Sequence, residues 1–452
     1  MTVSKQKQFD IPFLNDPATL IEFSNGHTFV YVPKQGDVFN VNTWVKTGSI
    51  HENAQNSGVS HFLEHLMFKG TERYGPGEFD AAMENMGAVI NAATWKDFTF
   101  YYITGVKGEG NQNFRAALDM HADMMLHATM PDDEIGETHN PNDPYTEANK
   151  RERGVVIEEI GMRSDQPWTK TFNVLNTMMY ASGHPYQRDV IGTREIIAAI
   201  PRQSIVDYYN TWYSAPNMCT VVVGDFDLDS LIKDVSAAFD FSHRTHAAGH
   251  AMESVDAALT TPTEDMFTVI EASYQTSFVL MGFHGPCAND LRETIALDIA
   301  CKALGEGRSS RLYNRFIEKA DEPIFNMINL SQSRFKLGNV VYLQANFSHP
   351  DYRLVLGNVE DEIRQFTTQT PITDDEFDRA VKSLKVEFAE TSETASGIAE
   401  ALGESFTLTH HFDSYSDYLN VLSQVSRQDV ERAAHRWLVV DQHYTAVMVP
   451  EA

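Results

Sequence analysis

The chain is short of cysteine, short of positive charge, and without any long apolar run. Its three cysteines, Cys219, Cys287 and Cys301, are widely spaced and include no CxxC pair, which excludes a disulfide framework or a cysteine zinc site and leaves small core residues. Lysine and arginine number 35 against 63 acidic residues, a net charge of −28. Such a balance repels nucleic acid and anionic lipid, so neither a nucleic-acid partner nor a membrane is expected. The acid excess reads as a solvated surface, with an acidic chamber for basic peptides as the other reading. No apolar stretch approaches the length needed to span a bilayer; runs such as Thr220–Val223 and Ala446–Val449 are strand-sized. The first residues, MTVSKQKQFDIPF, lack the apolar segment of a secretory signal, which predicts a cytoplasmic chain, or alternatively a periplasmic one in mature form.

What the chain has is length and repetition. At 452 residues it exceeds the usual size of a single core, so two or more domains are expected. Arg202, Gln203, Trp212, Thr220 and Val222 recur as Arg427, Gln428, Trp437, Thr445 and Val447 at a constant offset, each time in the order helix, turn, apolar strand. So long a period marks a duplicated domain rather than a solenoid unit. Earlier segments follow the same plan. In the first half, strand Phe39–Thr47 precedes a helix over Val59–Phe68, a strand-like run Ala88–Ile103 and a helix Asn113–Ala128. In the second, strand Ser277–Phe283 precedes helix Leu291–Leu304, strand Asn339–Phe347 and helix Tyr352–Phe366. The expected class is α+β: two homologous domains, each a mixed or antiparallel sheet covered by helices. Residues 1–241 form the first domain, 265–452 the second, and 242–264, rich in His, Ala, Thr and Pro, the linker. The irregular Pro131–Asn149 reads as a surface insertion.

Chemistry concentrates at His61-Phe62-Leu63-Glu64-His65. Positions i and i+4 of a helix share a face, so both imidazoles can grip one zinc ion while Glu64 reaches a water beside it. Apolar flanks (Val59, Phe62, Leu63, Leu66, Met67) make this a buried helix, where two histidines and a glutamate need partners. A third ligand is required. His121, His127 and His184 read as core or cap residues, whereas ERGVVIEEI (152–160) has a helical period with carboxylates framing an apolar centre. Spacing alone leaves Glu158 and Glu159 open.

These segments resemble the inverzincin zinc peptidases of family M16, related to pitrilysin, insulysin and the mitochondrial processing peptidase. SGVSHFLEHLMFKGTERYGPGEF and ERGVVIEEI carry the likeness, with GAVINAATWKDFTFY, HPYQRDVIGTRE and WYSAPNMCTVVVGDF beside them. The resemblance implies a catalytic first domain, a non-catalytic second one, and half of a clamshell chamber. It implies His61, His65 and Glu159 as ligands of one zinc per chain, Glu64 as general base, and Glu152 as an assisting glutamate. It also implies Asn91 and Ala92 on a strand that pairs with peptide substrate. Where family members carry an arginine and a tyrosine seven residues apart to clamp the peptide, this chain has Ile317 and Ile324. The expectation is a heterodimer with a homologous, zinc-free subunit that supplies the clamp, a homodimer being the alternative. Peptide-bond hydrolysis is the leading function, and a non-catalytic core or assembly subunit of the same fold is its rival.

Overall fold

The structure is a computed structural model that describes residues 1–144, 146–243, 266–320 and 322–451. The expected linker, 242–264, therefore lies almost wholly outside the described residues. Among the described residues, twelve strands run in chain order: β1 (Val3–Phe9), β2 (Ala18–Phe23), β3 (Thr28–Pro33), β4 (Val38–Val45), β5 (Val89–Thr94), β6 (Thr99–Val106), β7 (Met218–Gly224), β8 (Phe267–Ala272), β9 (Ser277–His284), β10 (Phe325–Ser333), β11 (Val340–Phe347) and β12 (Tyr444–Pro450). The helices used below are α1 (Val59–Met67), α2 (Gln112–His127), α3 (Glu152–Ser164), α4 (Pro167–Met179) and α5 (Arg202–Trp212). They continue with α6 (Leu291–Leu304), α7 (Tyr352–Thr368), α8 (Ala395–Thr409) and α9 (Arg427–Trp437).

The strands form two sheets, ordered β1-β2-β3-β7-β4-β6-β5 and β10-β11-β9-β12-β8. β3 pairs with β7 in parallel, and β12 with β8 in parallel; every other pairing is antiparallel. The series β3-β7-β4-β6-β5 thus repeats as β8-β12-β9-β11-β10, and β7 and β12 are the strands that follow the repeated Arg-Gln-to-Trp helices. The duplication is borne out as an α+β fold of two homologous, mixed sheets with helices. β7 (MCTVVVG), in the middle of the first sheet, is buried along its whole length. The stretch 88–103 folds as two strands, not one: Trp95 N–H donates to Phe98 O at 2.8 Å, closing the β5–β6 turn.

Packing divides the chain into two units that are not contiguous in sequence. Unit 1 holds residues 1–161, 188–243 and 389–416 of those described; unit 2 holds 162–187, 266–388 and 417–451. Each unit therefore takes one long helix from the other half of the chain. In unit 1, α8 lies on β4 and β7, where Gly403 meets the buried indole of Trp44 so closely that a Cβ would fall 2.1 Å from its Nε1. In unit 2, α4 lies on β9 and β12, and Gly282 of β9 makes room for Met179 and Leu175. Burying a side chain the size of Trp44 stabilises by roughly 2–3 kcal/mol, so the exchanged helix is part of the core rather than an appendage. The described residues of 131–149 are mostly exposed or half-buried, with Ile135 buried and Arg153 Nε donating to Gly136 O at 3.1 Å.

Candidate metal centre

Helix α1 follows β4 and is pinned under the sheet by Val59, Phe62, Leu63 and Leu66, all fully buried. That leaves His61, Glu64 and His65 on the opposite, half-open side. The imidazoles of His61 and His65 lie 4.8 Å apart between centroids, one helical turn from each other. Helix α3 brings Glu159 against them: its Oε2 is 3.7 Å from His61 Nε2 and 3.6 Å from His65 Nε2. All three donor atoms lie within 4.8 Å of one another. Tetrahedral zinc with bonds of about 2.1 Å would set its ligand atoms about 3.4 Å apart, so two imidazoles and a carboxylate at this spacing fit the ion. Glu158 is exposed, whereas the carboxylate of Glu159 faces the histidines.

Glu152, two turns before Glu159, approaches from behind. Its Oε2 lies 3.3 Å from His65 Nδ1 and its Oε1 2.8 Å from Lys69 Nζ. A carboxylate on Nδ1 holds the His65 ring as the Nδ1–H tautomer and turns the Nε2 lone pair toward Glu159 and His61. Burial pushes the Glu152 carboxyl up, but the bonds from His65 and Lys69 outweigh it and the pKa lies below the usual value. For His65 burial pulls the other way, and the Glu152 bond with the charges of Glu64, Glu152 and Glu159 raises its pKa overall. Glu64 is held by Thr94, the last residue of β5, whose Oγ1 donates to Glu64 Oε2 at 2.5 Å. Burial raises the Glu64 pKa against the opposing effect of that bond and of His65.

Asn91 and Ala92 lie on β5, the last strand in its sheet's order, whose other edge pairs with no strand among the described residues. Asn91 is exposed and its Oδ1 accepts from Ala92 N–H at 2.9 Å. The three histidines read as core or cap residues are bonded elsewhere: His121 Nε2 is 2.9 Å from Thr43 Oγ1, His127 Nδ1 is 3.1 Å from Asp123, and His184 Nδ1 accepts from Tyr186 N–H. Sequence reasoning missed Thr94 and Lys69. Lys69 stands four residues after His65, a readable helical spacing, whereas Thr94 offered no such signal.

A family model described as insulinase, peptidase family M16, matches residues 29–178, and one described as the peptidase M16 inactive domain matches 199–384. The chain belongs to peptidase family M16. Among relatives of the M16 chain is an uncharacterised zinc protease of Bacillus subtilis, 33% identical over 44% of each chain. One of Rickettsia bellii is 21% identical over 88% of this chain and 89% of that one. The beta subunit of the bovine mitochondrial-processing peptidase is 30% identical over 46% of this chain and 38% of its own length. Among solved structures, a Helicobacter pylori protease superposes with a TM-score of 0.83 at 22% identity, covering 99% of this chain and all of that one, a likeness of fold. A chain of complex III2 from Candida albicans does so with a TM-score of 0.75 at 14% identity over 95% of both. No helix among the described residues is long and apolar enough to cross a membrane.

Proposed function

We propose that the chain is a zinc metalloendopeptidase. The observation that carries this reading is the convergence of His61, His65 and Glu159 on one point, with Glu64 beside it on the same helix face. Those three side chains would hold a single zinc ion, leaving a position open to solvent and substrate. When bound, zinc acts as a Lewis acid toward a peptide carbonyl and acidifies water. Glu64, steadied by Thr94 and pushed by burial to a better proton acceptor than an ordinary carboxylate, takes a proton from the attacking water and returns it to the leaving amine. Glu152 and Lys69 keep His65 in its ligating tautomer. The free edge of β5, with Asn91 and Ala92, offers main-chain pairing to an extended peptide, which suits tolerance of many sequences.

The partner in this reading is a homologous subunit carrying the Arg/Tyr pair that Ile317 and Ile324 replace here, a homodimer being the alternative. The likeness to a chain of complex III2 keeps a non-catalytic assembly role as the second reading. A structural subunit, however, needs neither a general base nor three converging ligands. Zinc content and peptide hydrolysis of the purified chain, with Glu64→Gln alongside, test the proposal. One zinc in both proteins and hydrolysis only with Glu64 support it, whereas a zinc-free wild-type chain defeats it. Bound zinc without hydrolysis, persisting after addition of a co-purifying homologue, favours the assembly role.

A further inference from the structure

Helix α1 begins without a cap of its own. Its N-cap residue is Gly58, in the left-handed region at φ 89, and it has no side chain to bond the first N–H groups. Any side chain there is also barred by the turn opposite, since a Cβ on Gly58 would fall 2.5 Å from Ile191 O. The first turn of a helix leaves its N–H groups without intrahelical acceptors, and buried ones need partners. Glu52, from the loop six residues earlier and only 5% exposed, supplies them. Its Oε2 accepts from Gly58 N–H at 2.7 Å; its Oε1 accepts from Ser60 N–H at 2.9 Å and from Ser60 Oγ–H at 2.5 Å. A negative charge at this end also meets the positive pole of the helix.

The same loop is stitched to the strand on the other side of the site. Ser49 N–H donates to Trp95 O at 3.2 Å and Ile50 N–H to Lys96 O at 2.8 Å, immediately after Thr94 of β5. Gly48 approaches so closely that a Cβ would lie 2.1 Å from Trp95 O. Tyr208 of α5 closes the arrangement: its hydroxyl lies 2.9 Å from Ser60 Oγ and 2.6 Å from Thr47 Oγ1, and donates to Gly48 O at 3.1 Å.

We propose that Glu52 is a positioning residue for the metal site, capping α1 and tying its first turn to the end of β5 where Thr94 holds Glu64. This rests on the reading of α1 as the metal helix. His61 is the third residue of α1 and sits in the turn that Glu52 holds, whereas His65 is near the far end and is held by Glu152. Loss of the cap therefore displaces one ligand and leaves the other in place. It also loosens Glu64 against Thr94.

The test uses the full chain with zinc alone as the probe, and compares Glu52→Gln and Glu52→Asp with wild type. In Glu52→Gln, which keeps the shape but loses the charge and sets an amide against the helix donors, zinc affinity by chelator competition falls about tenfold, the lower end of what outer-shell partners contribute. Turnover falls with it while KM for a peptide stays near wild type, and hydrogen exchange at the Gly58 and Ser60 amides speeds up. Glu52→Asp restores part of the affinity. Folded Glu52→Gln with wild-type zinc affinity and turnover, differing only in melting temperature, overturns the proposal. Should Glu52→Gln fail to fold, Ser60→Ala removes one of the three bonds and lowers zinc affinity about threefold, the scale of one hydrogen bond; no change overturns the proposal. A wild-type chain that binds no zinc defeats the functional reading instead, and amide exchange at Ser60 then decides alone whether Glu52 caps the helix.

Discussion

The two units share a strand order, a single parallel pair and the placement of a helix after the corresponding strand, β4 then α1 and β9 then α6. What differs is the side chains that this helix carries. Where α1 presents His61, Glu64 and His65, the buried positions of α6 include Thr294, Ile295, Leu297, Ile299 and Ala300, and both its acids are engaged: Glu293 accepts from Trp437 Nε1 at 2.9 Å, and Asp298 accepts from Gln332 at 2.6 Å and pairs with Arg334 at 3.1 Å. The proposed metal ligands on α1 therefore have no counterpart of the same chemistry at the matching helix of unit 2.

The sharpest way to break that comparison is to exchange the burdens. His65→Ala in α1 should abolish zinc binding altogether with the fold retained by circular dichroism, whereas Asp298→Asn at the matching helix of unit 2 should leave zinc stoichiometry unchanged. Zinc loss in the second variant would mean that the units are not independent in this respect. Next in size, Glu152→Gln should weaken zinc about 10–100-fold in chelator competition, because His65 loses the carboxylate that sets its tautomer. Unchanged affinity would reduce Glu152 to an ion pair with Lys69.

A third contrast concerns acid. In unit 1 a hydrogen-bonded chain crosses the core: His27 Nε2 to Thr220 Oγ1 at 3.0 Å, Thr220 to Thr43 at 2.9 Å, Thr43 to His121 Nε2 at 2.9 Å. Burial pushes both histidines down to a pKa of about 3. A base that stays neutral in the fold but takes up a proton when unfolded destabilises the fold as pH falls below the unfolded value of about 6.5 and on toward 3; above 6.5 its effect is nil. In unit 2 the threonine matching Thr220 is Thr445, buried and with no side-chain hydrogen bond among the described residues. Burial also lowers the pKa of His284 there, so unit 2 is not immune. Between pH 7 and 5, unit 1 should lose about 1–2 kcal/mol for each of His27 and His121, read by amide exchange in β4 and β7. His121→Gln should flatten that slope, and an identical slope in the variant would dismiss the mechanism.

The smallest effects separate the two exchanged helices. Gly403→Ala drives a methyl into the rigid indole of Trp44 and should cost about 1–3 kcal/mol in urea unfolding. Gly282→Ala meets chiefly Met179 Sδ and the tip of Leu175, flexible ends that can move, and should cost about 1 kcal/mol or less. The reverse order would show that α8 gives way more easily than α4.

How much of this was legible beforehand follows from which interactions are local. The spacing of His61 and His65 is a property of one helix, so the pair could be read directly. Glu158 and Glu159 are neighbours on another helix, and only the approach of α3 to α1 separates them. Thr94 and Glu52 act across loops whose meeting depends on the tertiary fold, and nothing in their own neighbourhood announces it. β1 was invisible for a different reason: VSKQKQF is exposed and unpatterned, a strand only because its backbone pairs with β2 and Lys5 meets Glu22 at 2.8 Å. The duplication was visible as a repeat, but an amphipathic helix does not say which sheet it will cover. The contiguous halves 1–241 and 265–452 therefore carried no hint of the traffic of 162–187 and 389–416 between packing units.

That traffic has a consequence for how the protein is made. The first sheet is complete once β7 has emerged at Gly224, yet the helix that covers Trp44 ends at Thr409. At 5–20 residues per second, synthesis leaves that face bare for roughly 10–40 seconds. During this interval the nascent first half presents a finished sheet with an aromatic, open flank. Helix α8, close to the end of the chain, is what finally covers that flank.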